Sequence, residues 1–538
     1  MIAASTPLLV SAETSRALDR EAQTEWGFSV FSLVESAGRL CAQYLAEAFP
    51  ALFKHRTQNL QISVAAGTGN NGADAMAMLR CWILSGSIKA THSVLAISRE
   101  PKDEKTGPWV GLLKSLKKMN VPVLVWEGSK GEGPIHETFA QSDIIIDGIA
   151  GTGLSGPLRG PALEMVELIN SLLPNSHSPL TSYLLPLTSY LLPLVVSVDL
   201  PSGNFDGWKP GMPIVKADLT LAIEPQKYYV YTPAARSFAG NIVAVKGVFP
   251  GEMIAGCKGA ELLNWEIAGK RVRKVRPDAY KNDRGTVEIR AGSSGYSGAA
   301  MIASRGAQAG GAGLVRLVAD DDIYPILAAG AGGIMVSPAS SEAAFEGRHI
   351  PDAILLGPGW GTGKDRPEML KKALAKEKSG TALILDADAI ELARHKVFSG
   401  NVILTPHPGE LSKFTGIEKE ELLSDTSSIL LKCSRDCNGT ILLKSHVITI
   451  ASPDGRLGVI DGMRPVLAAG GSGDLLAGLC AAIAARMQRE GCFDAYACAA
   501  AGASLLLASA QSYGPKTRFT DPLELADRAA DVAGKAWL

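Results

Sequence analysis

A glycine-rich turn, Ala468-Ala469-Gly470-Gly471-Ser472-Gly473-Asp474-Leu475-Leu476-Ala477-Gly478, opens an apolar segment that is predicted to be a helix to about Met487. Successive backbone N–H groups in such a turn, together with the positive end of a helix dipole, form a cradle for an anion. Asp474 lies in the first predicted helical turn, where it could accept a proton from a hydroxyl that attacks phosphorus. The alternative is that Asp474 only complements the helix dipole.

Composition limits the classes of function. The chain has 538 residues, which favours two to four domains, and a formal net charge of -1, which gives no general reason to bind nucleic acid or an anionic membrane. Eight cysteines are scattered without CxxC pairs, and no signal sequence or long apolar run is evident. We therefore expect a cytoplasmic protein that binds neither nucleic acid nor membrane.

Three predicted strands in the first half each end in polar residues. The strand from Leu60 to Ala66 runs into Gly67-Thr68-Gly69-Asn70-Asn71-Gly72-Ala73-Asp74, which satisfies the GxGxxG spacing. A second strand ends at Asp147 and a third at Asp199, followed by Ser202. Because open α/β sheets bind ligands at the carboxyl ends of their strands, these residues are predicted to share one edge. Lys227 follows and could meet a phosphate, although a solvated lysine is the more frequent outcome.

The segment from Pro250 to Arg276 changes character and contains a basic cluster, which we interpret as a solvated linker. The predicted domains are 1–252 and 258–538. Before that boundary, a seven-residue segment is repeated in tandem at 179–192, and a proline in each copy excludes a continuous helix. We interpret the repeat as a lengthened surface loop.

The second half repeats the α/β pattern. Five further strand ends carry Gly, Asp, His or Lys: Gly292 to Ala300, Gly357-Pro358-Gly359, Asp386-Ala387-Asp388-Ala389, Thr405-Pro406-His407-Pro408-Gly409-Glu410, and Lys444. The pattern predicts a doubly wound sheet with one ligand-binding edge. His407, fixed between two prolines, is expected to be a positioned hydrogen-bonding group.

In this order the motifs resemble the bifunctional NAD(P)H-hydrate repair enzymes, and the resemblance covers nearly the whole chain. It implies a Rossmann-like N-terminal epimerase domain and a ribokinase-like C-terminal dehydratase domain that uses ADP, or alternatively ATP, with Mg²⁺. The substrates would be hydrated NADH and NADPH, and we expect a homo-oligomer.

The resemblance also implies residue roles. In the epimerase, Asp199 would be catalytic, and a potassium ion would be held by Asn71, Asp147 and Ser202. All-oxygen ligation suits such a hard cation. The remaining positions that would contact the hydrated cofactor are Asn70, Asn71, Gly72, Ala73, Asp74, Gly151, Thr152, Gly153, Leu154, Ser155, Gly156 and Pro157.

In the dehydratase, Asp474 would be catalytic, and Ala299, Gly359, His407 and Asp474 would contact the substrate. The nucleotide would be bound by Lys444, Ser445, His446, Val447, Ile448 and Gly473.

Three stretches depart from the family pattern. Ala73 and Ala75 stand where the family usually has glycine, and they would strain the loop if φ were positive there but not inside a helix. After Lys444 the family tends to have glycine and then threonine, whereas this chain has Ser445 and Ile448, so we expect a hydroxyl contact to the nucleotide phosphate to be missing. The segment 462–467 also differs from the usual approach to the glycine-rich turn.

Two alternatives remain open. The second half could be a ribokinase-like small-molecule kinase acting on a sugar or vitamin precursor, because similar glycine-rich turns serve that whole group. The first half could be a non-catalytic Rossmann-like binding domain. The presence of Asn71, Asp147, Asp199 and Ser202 together argues against that second alternative.

Overall fold

The protein is described by a computed structural model that covers residues 6–50, 53, 60–101, 107–126, 128, 133–174, 193–344, 350–512 and 520–538. The tandem repeat at 179–192 lies outside these residues. The chain forms two compact units, Met1–Gly259 and Ala260–Leu538. No described helix is long and apolar enough to cross a membrane.

The first unit is built on a seven-stranded sheet in which every neighbouring pair is parallel, in the order β4-β3-β2-β5-β6-β7-β9. A separate short parallel pair joins β1 to β8. The strands are β1 (Leu8–Val10), β2 (Ile62–Ala66), β3 (Ser93–Ile97), β4 (Val123–Val125), β5 (Ile144–Gly148), β6 (Leu194–Val198), β7 (Leu219–Ile223), β8 (Gln226–Lys227) and β9 (Asn241–Val245).

Both faces of this sheet are covered. Ile144 and Ile146 pack into one apolar cluster while Ile145 between them packs into another, which explains why the strands are continuous apolar runs. The helices are α1 (Ala12–Thr24), α2 (Val30–Ala48), α3 (Asn70–Leu84), α4 (Pro108–Lys118), α5 (Pro134–Ala140), α6 (Pro161–Ser171) and α7 (Gly251–Ala255). Gly27, at φ +73°, lies between α1 and α2.

The second unit has a mixed sheet in the order β13-β12-β11-β14-β15-β16-β17-β18-β19-β10. Pairing is parallel from β13 to β17, antiparallel across β17-β18-β19, and parallel between β19 and β10. The strands are β10 (Ala260–Leu262), β11 (Thr286–Arg290), β12 (Leu314–Ala319), β13 (Met335–Pro338), β14 (Ala353–Leu356), β15 (Ala382–Leu385), β16 (Val402–Leu404), β17 (Thr440–Leu443), β18 (Val447–Ala451) and β19 (Leu457–Asp461).

Helices cover both faces of this second sheet. They are α8 (Trp265–Ala268), α9 (Ser297–Ala309), α10 (Tyr324–Gly330), α11 (Arg366–Lys378), α12 (Asp388–Leu392), α13 (Pro408–Thr415), α14 (Lys419–Ser424), α15 (Thr426–Cys437), α16 (Ser472–Arg489), α17 (Ala495–Gln511) and α18 (Pro522–Trp537). The predicted fold class, a two-domain α/β protein built on doubly wound sheets, is confirmed.

The segment from Pro250 to Arg276 contains α7, β10 and α8, and β10 pairs with β19. In its basic cluster, which is predicted to be solvated, Lys270, Arg273, Lys274 and Arg276 are exposed, and the expectation is wrong only for Arg271. Within its basic cluster, the Arg271 guanidinium lies 2.5 Å from Glu261 Oε1 and both side chains are mostly buried.

Helices α9 and α16 pack closely because glycine stands at their crossing. A Cβ added at Gly478 would lie 2.1 Å from the carbonyl oxygen of Ala303. Gly478→Ala should therefore lower the free energy of unfolding of the second unit by about 1–3 kcal/mol, the usual range for overpacking. Urea unfolding curves measure this change.

The matched control is Gly298→Ala, in the first turn of α9, where an added Cβ has no heavy atom within 4 Å. Since alanine favours a helix over glycine, this change should be neutral or stabilising by up to about 1 kcal/mol. Equal effects of the two substitutions would contradict the close-packing explanation.

Candidate active sites

The strand order of the first unit reverses between β2 and β5, so the loops that follow these two strands meet. They touch at glycine: a Cβ at Gly67 would lie 1.8 Å from the carbonyl oxygen of Ile149, and one at Gly72 would lie 2.1 Å from that of Gly67. Ala73 and Ala75 lie inside α3 without positive φ, so neither alanine strains the loop.

Asn71, Asp147 and Ser202 are brought together around this crossing. The Asp147 carboxylate is fully buried; its Oδ2 accepts hydrogen bonds from Ser197 Oγ at 2.7 Å and from the Ser202 amide at 2.8 Å. Burial raises the pKa of Asp147, and the bonds from Ser202 and Ser197 oppose that rise. Asn71 Nδ2 and Ser202 Oγ both donate to the carbonyl oxygen of Ala150, at 3.1 Å each.

One oxygen of this cluster lacks a partner. Asn71 Oδ1 is buried and accepts no hydrogen bond from any described residue. An orphaned buried oxygen beside a carbonyl, a hydroxyl and a carboxylate is the environment that a hard cation would satisfy. The donor set therefore fits potassium.

Asp199 lies at the end of β6 in a left-handed conformation, with φ +65°. Its Oδ1 is 2.6 Å from Lys227 Nζ, and both side chains are about nine-tenths buried or more. Lys227 Nζ also donates to the Ile223 carbonyl at 3.1 Å. The expectation of a solvated Lys227 is therefore wrong: β8 turns the lysine inward to meet the carboxylate.

Two further carboxyl groups surround this ion pair. The pKa of Asp74, on α3, is raised well above its usual range by burial and then by the carboxylates of Asp199 and Asp19. The pKa of Asp19, on α1, is raised by burial, with Lys227 opposing the rise. No sequence motif includes Asp19, because α1 is neither a glycine-rich turn nor the end of a predicted strand.

The predicted loop Gly151–Pro157 follows β5 and is partly exposed on this side of the sheet. The Thr152 carbonyl accepts a hydrogen bond from Arg16 Nη1 at 2.9 Å. Gly153, Ser155 and Pro157 remain open to solvent. The loop can therefore reach a ligand bound over the Asn71 and Asp199 side chains.

In the second unit, Asp474 lies in the first turn of α16 as predicted, after Gly471 at φ +92°. Its pKa is raised to about 7, first by burial and then by the carboxylates of Asp386 and Glu410, while Lys444 lowers it. The group therefore exchanges a proton near neutral pH, as a general base requires.

A lysine lies between the carboxylates. Lys444 Nζ is 2.5 Å from Asp386 Oδ1 and 4.0 Å from Glu410 Oε2. Burial lowers the pKa of Lys444, but Asp386 and Glu410 outweigh burial and leave the pKa raised. Thr405 Oγ1 also donates to Asp386 Oδ1, at 2.8 Å, so this one buried oxygen accepts two hydrogen bonds.

His407 caps α13 at the same edge. Its Nδ1 accepts hydrogen bonds from the amides of Gly409 and Glu410, at 3.0 and 3.2 Å. Its side chain is 56% exposed, so the Nε2 edge, 3.4 Å from Glu410 Oε1, is accessible to a ligand.

Ala299 and Gly359 meet where the strand order reverses between β11 and β14. A Cβ at Gly359, which has φ +56°, would lie 2.8 Å from the Ala299 Cβ, and Ser293 Oγ donates to the Gly359 carbonyl at 2.9 Å. The two predicted substrate positions thus form one surface.

The residues predicted to bind the nucleotide differ in what their side chains can contact. Lys444 faces the glycine-rich turn, because a Cβ at Gly473 would lie 3.3 Å from Lys444 Nζ. His446 is exposed, whereas Val447 and Ile448 begin β18 with buried side chains. Ser445 Oγ donates to the Val447 carbonyl. Contacts from Val447 and Ile448 to a nucleotide would therefore be limited to the backbone.

The sequence motifs included Asp386 and Glu410 but assigned them no role. Asp386 directly follows β15, and Glu410 lies in the Thr405–Glu410 segment after β16. Their positions after strands whose ends face Asp474 were the sequence signal that could have assigned them to the site. Within the described residues, no cluster of three or more His, Cys, Asp or Glu side chains has the geometry of a metal site.

The fold and the two clusters define a two-domain α/β protein with one candidate active site in each unit. The family model described as YjeF-related protein N-terminus matches residues 30–227, and that described as NAD(P)H-hydrate dehydratase matches residues 287–528. The two matches follow one another along the chain, which is also similar over most of its length to relatives named bifunctional NAD(P)H-hydrate repair enzyme.

Two relatives are similar to this chain over most of both sequences. The bifunctional NAD(P)H-hydrate repair enzyme Nnr of Salinibacter ruber is 26% identical over 517 residues, spanning 89% of this chain and 88% of the relative. That of Escherichia coli is 28% identical over 487 residues, spanning 88% and 84%. A solved Bacillus subtilis ADP/ATP-dependent NAD(P)H-hydrate dehydratase is 24% identical, with a TM-score of 0.45 over 51% of this chain and 99% of that one.

The raised pKa of Asp474 predicts a stability change. The Asp474 carboxyl group has a higher pKa in the folded than in the unfolded protein, so it destabilises the fold when it must be ionised. This loss of stability is absent below the unfolded pKa and grows until the pH passes about 7. Asp474→Asn should therefore stabilise the second unit at pH 8, on the order of 2 kcal/mol after solvent screening, and hardly at all near pH 4.

Unfolding midpoints measured at a series of pH values test this. The control is Asp527→Asn, which changes an exposed carboxylate on α18. A gain from Asp474→Asn that is the same at every pH would contradict the buried-carboxylate explanation.

Proposed function

We propose that the chain repairs hydrated NADH and NADPH. Residues 1–252 interconvert the R and S hydrates, and residues 258–538 dehydrate the S hydrate to NAD(P)H at the expense of ADP or ATP. The observation that carries this proposal is the position of Asp474, between an anion-binding turn and the Lys444 ammonium, in a chain whose other unit holds a separate buried cluster.

The dehydration proceeds in two steps in this proposal. Asp474 takes the proton of the substrate hydroxyl while the hydroxyl oxygen forms a bond to the terminal phosphorus of the nucleotide and the bond to the leaving phosphate oxygen breaks. The phosphorylated carbon then loses phosphate with its C–O electron pair, and a proton is lost from the neighbouring carbon. The net products are NAD(P)H, free phosphate and the nucleotide shortened by one phosphate.

Lys444 and the turn around Gly473 support the transferring phosphate. The ammonium supplies positive charge and the backbone N–H groups of α16 point at the anion. Ser445, His446, Val447 and Ile448 would lie along the nucleotide. Ala299, Gly359 and His407 would hold the hydrated nicotinamide with its hydroxyl near Asp474.

In the epimerase site, Asn70 to Asp74, Gly151 to Pro157 and Asp199 would contact the hydrate. Potassium would be held by Asn71, Asp147 and Ser202, where the unpartnered Asn71 Oδ1 completes an all-oxygen set. A bound potassium ion would supply a fixed positive charge and order the loops after β2 and β5.

Magnesium would enter with the nucleotide phosphates, since this ion is usually bound through substrate phosphates and few protein ligands. The eight free thiols fit a reducing cytoplasm. Assembly into a homo-oligomer stays a prediction, which sedimentation of the purified protein would test.

Single carboxylate changes should separate the two activities. Asp474→Asn keeps the shape of the turn but removes the proton acceptor, so dehydration should fall roughly 10²- to 10⁴-fold while epimerisation continues. Asp199→Asn should leave dehydration of the S hydrate unchanged and let the R hydrate accumulate. Chiral chromatography of the hydrates during turnover measures both.

Two results would contradict this proposal. One is loss of epimerisation in folded Asp474→Asn protein. That result would indicate a single shared site, or two strongly coupled sites, in place of two independent ones. The other is phosphorylation of a sugar or vitamin precursor without any action on hydrated cofactor, which would favour a small-molecule kinase fused to a binding domain.

Potassium should stimulate epimerisation and raise the unfolding midpoint of the first unit, because it satisfies buried oxygens. Asp147→Asn should remove both effects because it weakens the proposed potassium site. Dehydration of the pure S hydrate in the same protein serves as the internal control. Identical rates and melting curves in potassium-free and potassium-containing buffer would contradict the assignment.

A further inference from the structure

The buried ion pair of the first unit is not explained by the fold alone. A buried ion pair rarely stabilises a protein more than well-packed hydrophobic residues of the same volume, so stability alone gives no reason for Lys227 and Asp199 at these positions. Both residues instead lie at the carboxyl edge of the sheet, where the proposed ligand binds.

The charge balance around the pair is uneven. Three carboxyl groups, those of Asp19, Asp74 and Asp199, surround a single ammonium, that of Lys227. Further charged or titratable groups that face the cluster are the Arg20 guanidinium, which opposes the rise that burial causes in the pKa of Asp19, the Cys41 thiol on α2, and the Tyr229 hydroxyl, near which Arg16 and Asp206 lie. Asp74 and Asp199 are buried and share the one ammonium, so ionising both carboxyl groups is costly and one of them retains its proton more readily.

Geometry selects which carboxyl group is ionised. Asp199 Oδ1 receives hydrogen bonds from Lys227 Nζ, at 2.6 Å, and from the Ile223 amide, at 3.2 Å. Charge-assisted bonds of this kind favour the carboxylate form. Asp74 has no such partner among the described ammonium and guanidinium groups.

We propose that Lys227 is a positioning residue for epimerisation, which fixes Asp199 as the ionised base and leaves Asp74 beside it as a neutral acid. The proposal rests on the proposed epimerase function and adds the division of labour within that site. It agrees with the raised pKa of Asp74.

The division supports a balanced reaction. Asp74 gives its proton to the hydroxyl of one epimer, and the C–O bond breaks with its electron pair leaving on water. The lone pair of the adjacent ring nitrogen forms a C=N bond. Water then adds to the other face of that carbon, the electrons of the C=N bond return to nitrogen, and Asp199 accepts the proton lost by the water.

The redox state of the ring does not change in these steps. The proton gained by Asp199 returns to Asp74 before the next turnover, which restores the starting protonation state of both carboxyl groups. An acid and a base with opposite protonation states in one site are the usual sign of such chemistry.

The second unit holds the same arrangement independently. Asp386 is paired with Lys444 at 2.5 Å, and the neighbouring Asp474 has a pKa raised to about 7. In each unit a lysine forms a close ion pair with one aspartate, and the pKa of a second aspartate nearby is raised.

The test measures kcat/KM for epimerisation against pH, by chiral chromatography without nucleotide, in wild type, Lys227→Met and Asp74→Asn. Wild type should lose activity at high pH as Asp74 loses its proton. Asp74→Asn, which keeps the shape of a neutral acid, should lose roughly 10²- to 10⁴-fold and lack the high-pH decline.

Lys227→Met should move the low-pH limit of activity upward by about one pH unit or more, because the base is no longer paired with a cation. A role limited to stability would lower the rate by the same factor at every pH. The matched control is Lys246→Met, which removes an exposed lysine 3.5 Å from Glu224 in the same unit and should leave the profile unchanged.

The experiment distinguishes failure of this inference from failure of the proposed function. Wild-type protein that does not epimerise the hydrates contradicts the function itself. In protein that does, a wild-type pH profile in folded Lys227→Met, or a wild-type rate in Asp74→Asn, overturns the inference. If Lys227→Met does not fold, the high-pH decline of wild type and its loss in Asp74→Asn decide the question.

Discussion

The structure depends on how it holds negative charge inside each unit. Asp199 and Asp386 both lie at the carboxyl ends of buried strands, where ionised carboxylates are costly without a partner. Each meets one lysine, Lys227 or Lys444, within hydrogen-bonding distance. Removing one partner of such a pair usually costs about 3–5 kcal/mol, so the pair constrains every element that carries it. In the second unit those elements are β15, β17 and the loops that follow them.

Sheet topology explains why the remaining groups collect beside these pairs. In each unit the strand order reverses once, so two loops from separate strands meet at one edge. Glycine permits the contact: Gly67 in the first unit and Gly359 in the second leave room for backbone or Cβ atoms that a side chain would displace. The loops therefore present amides, carbonyls and carboxylates to the same space, which is the condition for binding a phosphorylated, hydroxylated cofactor.

Much of this was predictable from sequence, for a local reason. Buried parallel strands are continuous apolar runs, and the turns after them carry glycine and oxygen-bearing side chains, so Asn71, Asp147 and Asp474 could be placed on edges. Lys227 and Asp19 could not, because their burial depends on a short strand pair and on α1, which are joined to the site only by tertiary contacts. For the same reason the pairing of β10 with β19 was hidden in a segment whose charge is typical of a linker.

The central claim is that two separate sites in one chain act in series on hydrated cofactor. It is tested most directly by giving wild-type protein an equal mixture of the R and S hydrates of NADPH, with nucleotide and potassium, and following the near-ultraviolet absorbance of NADPH. If both sites act, absorbance should return for the whole mixture, faster than the hydrates interconvert spontaneously. Recovery that stops when the S hydrate is exhausted would contradict it.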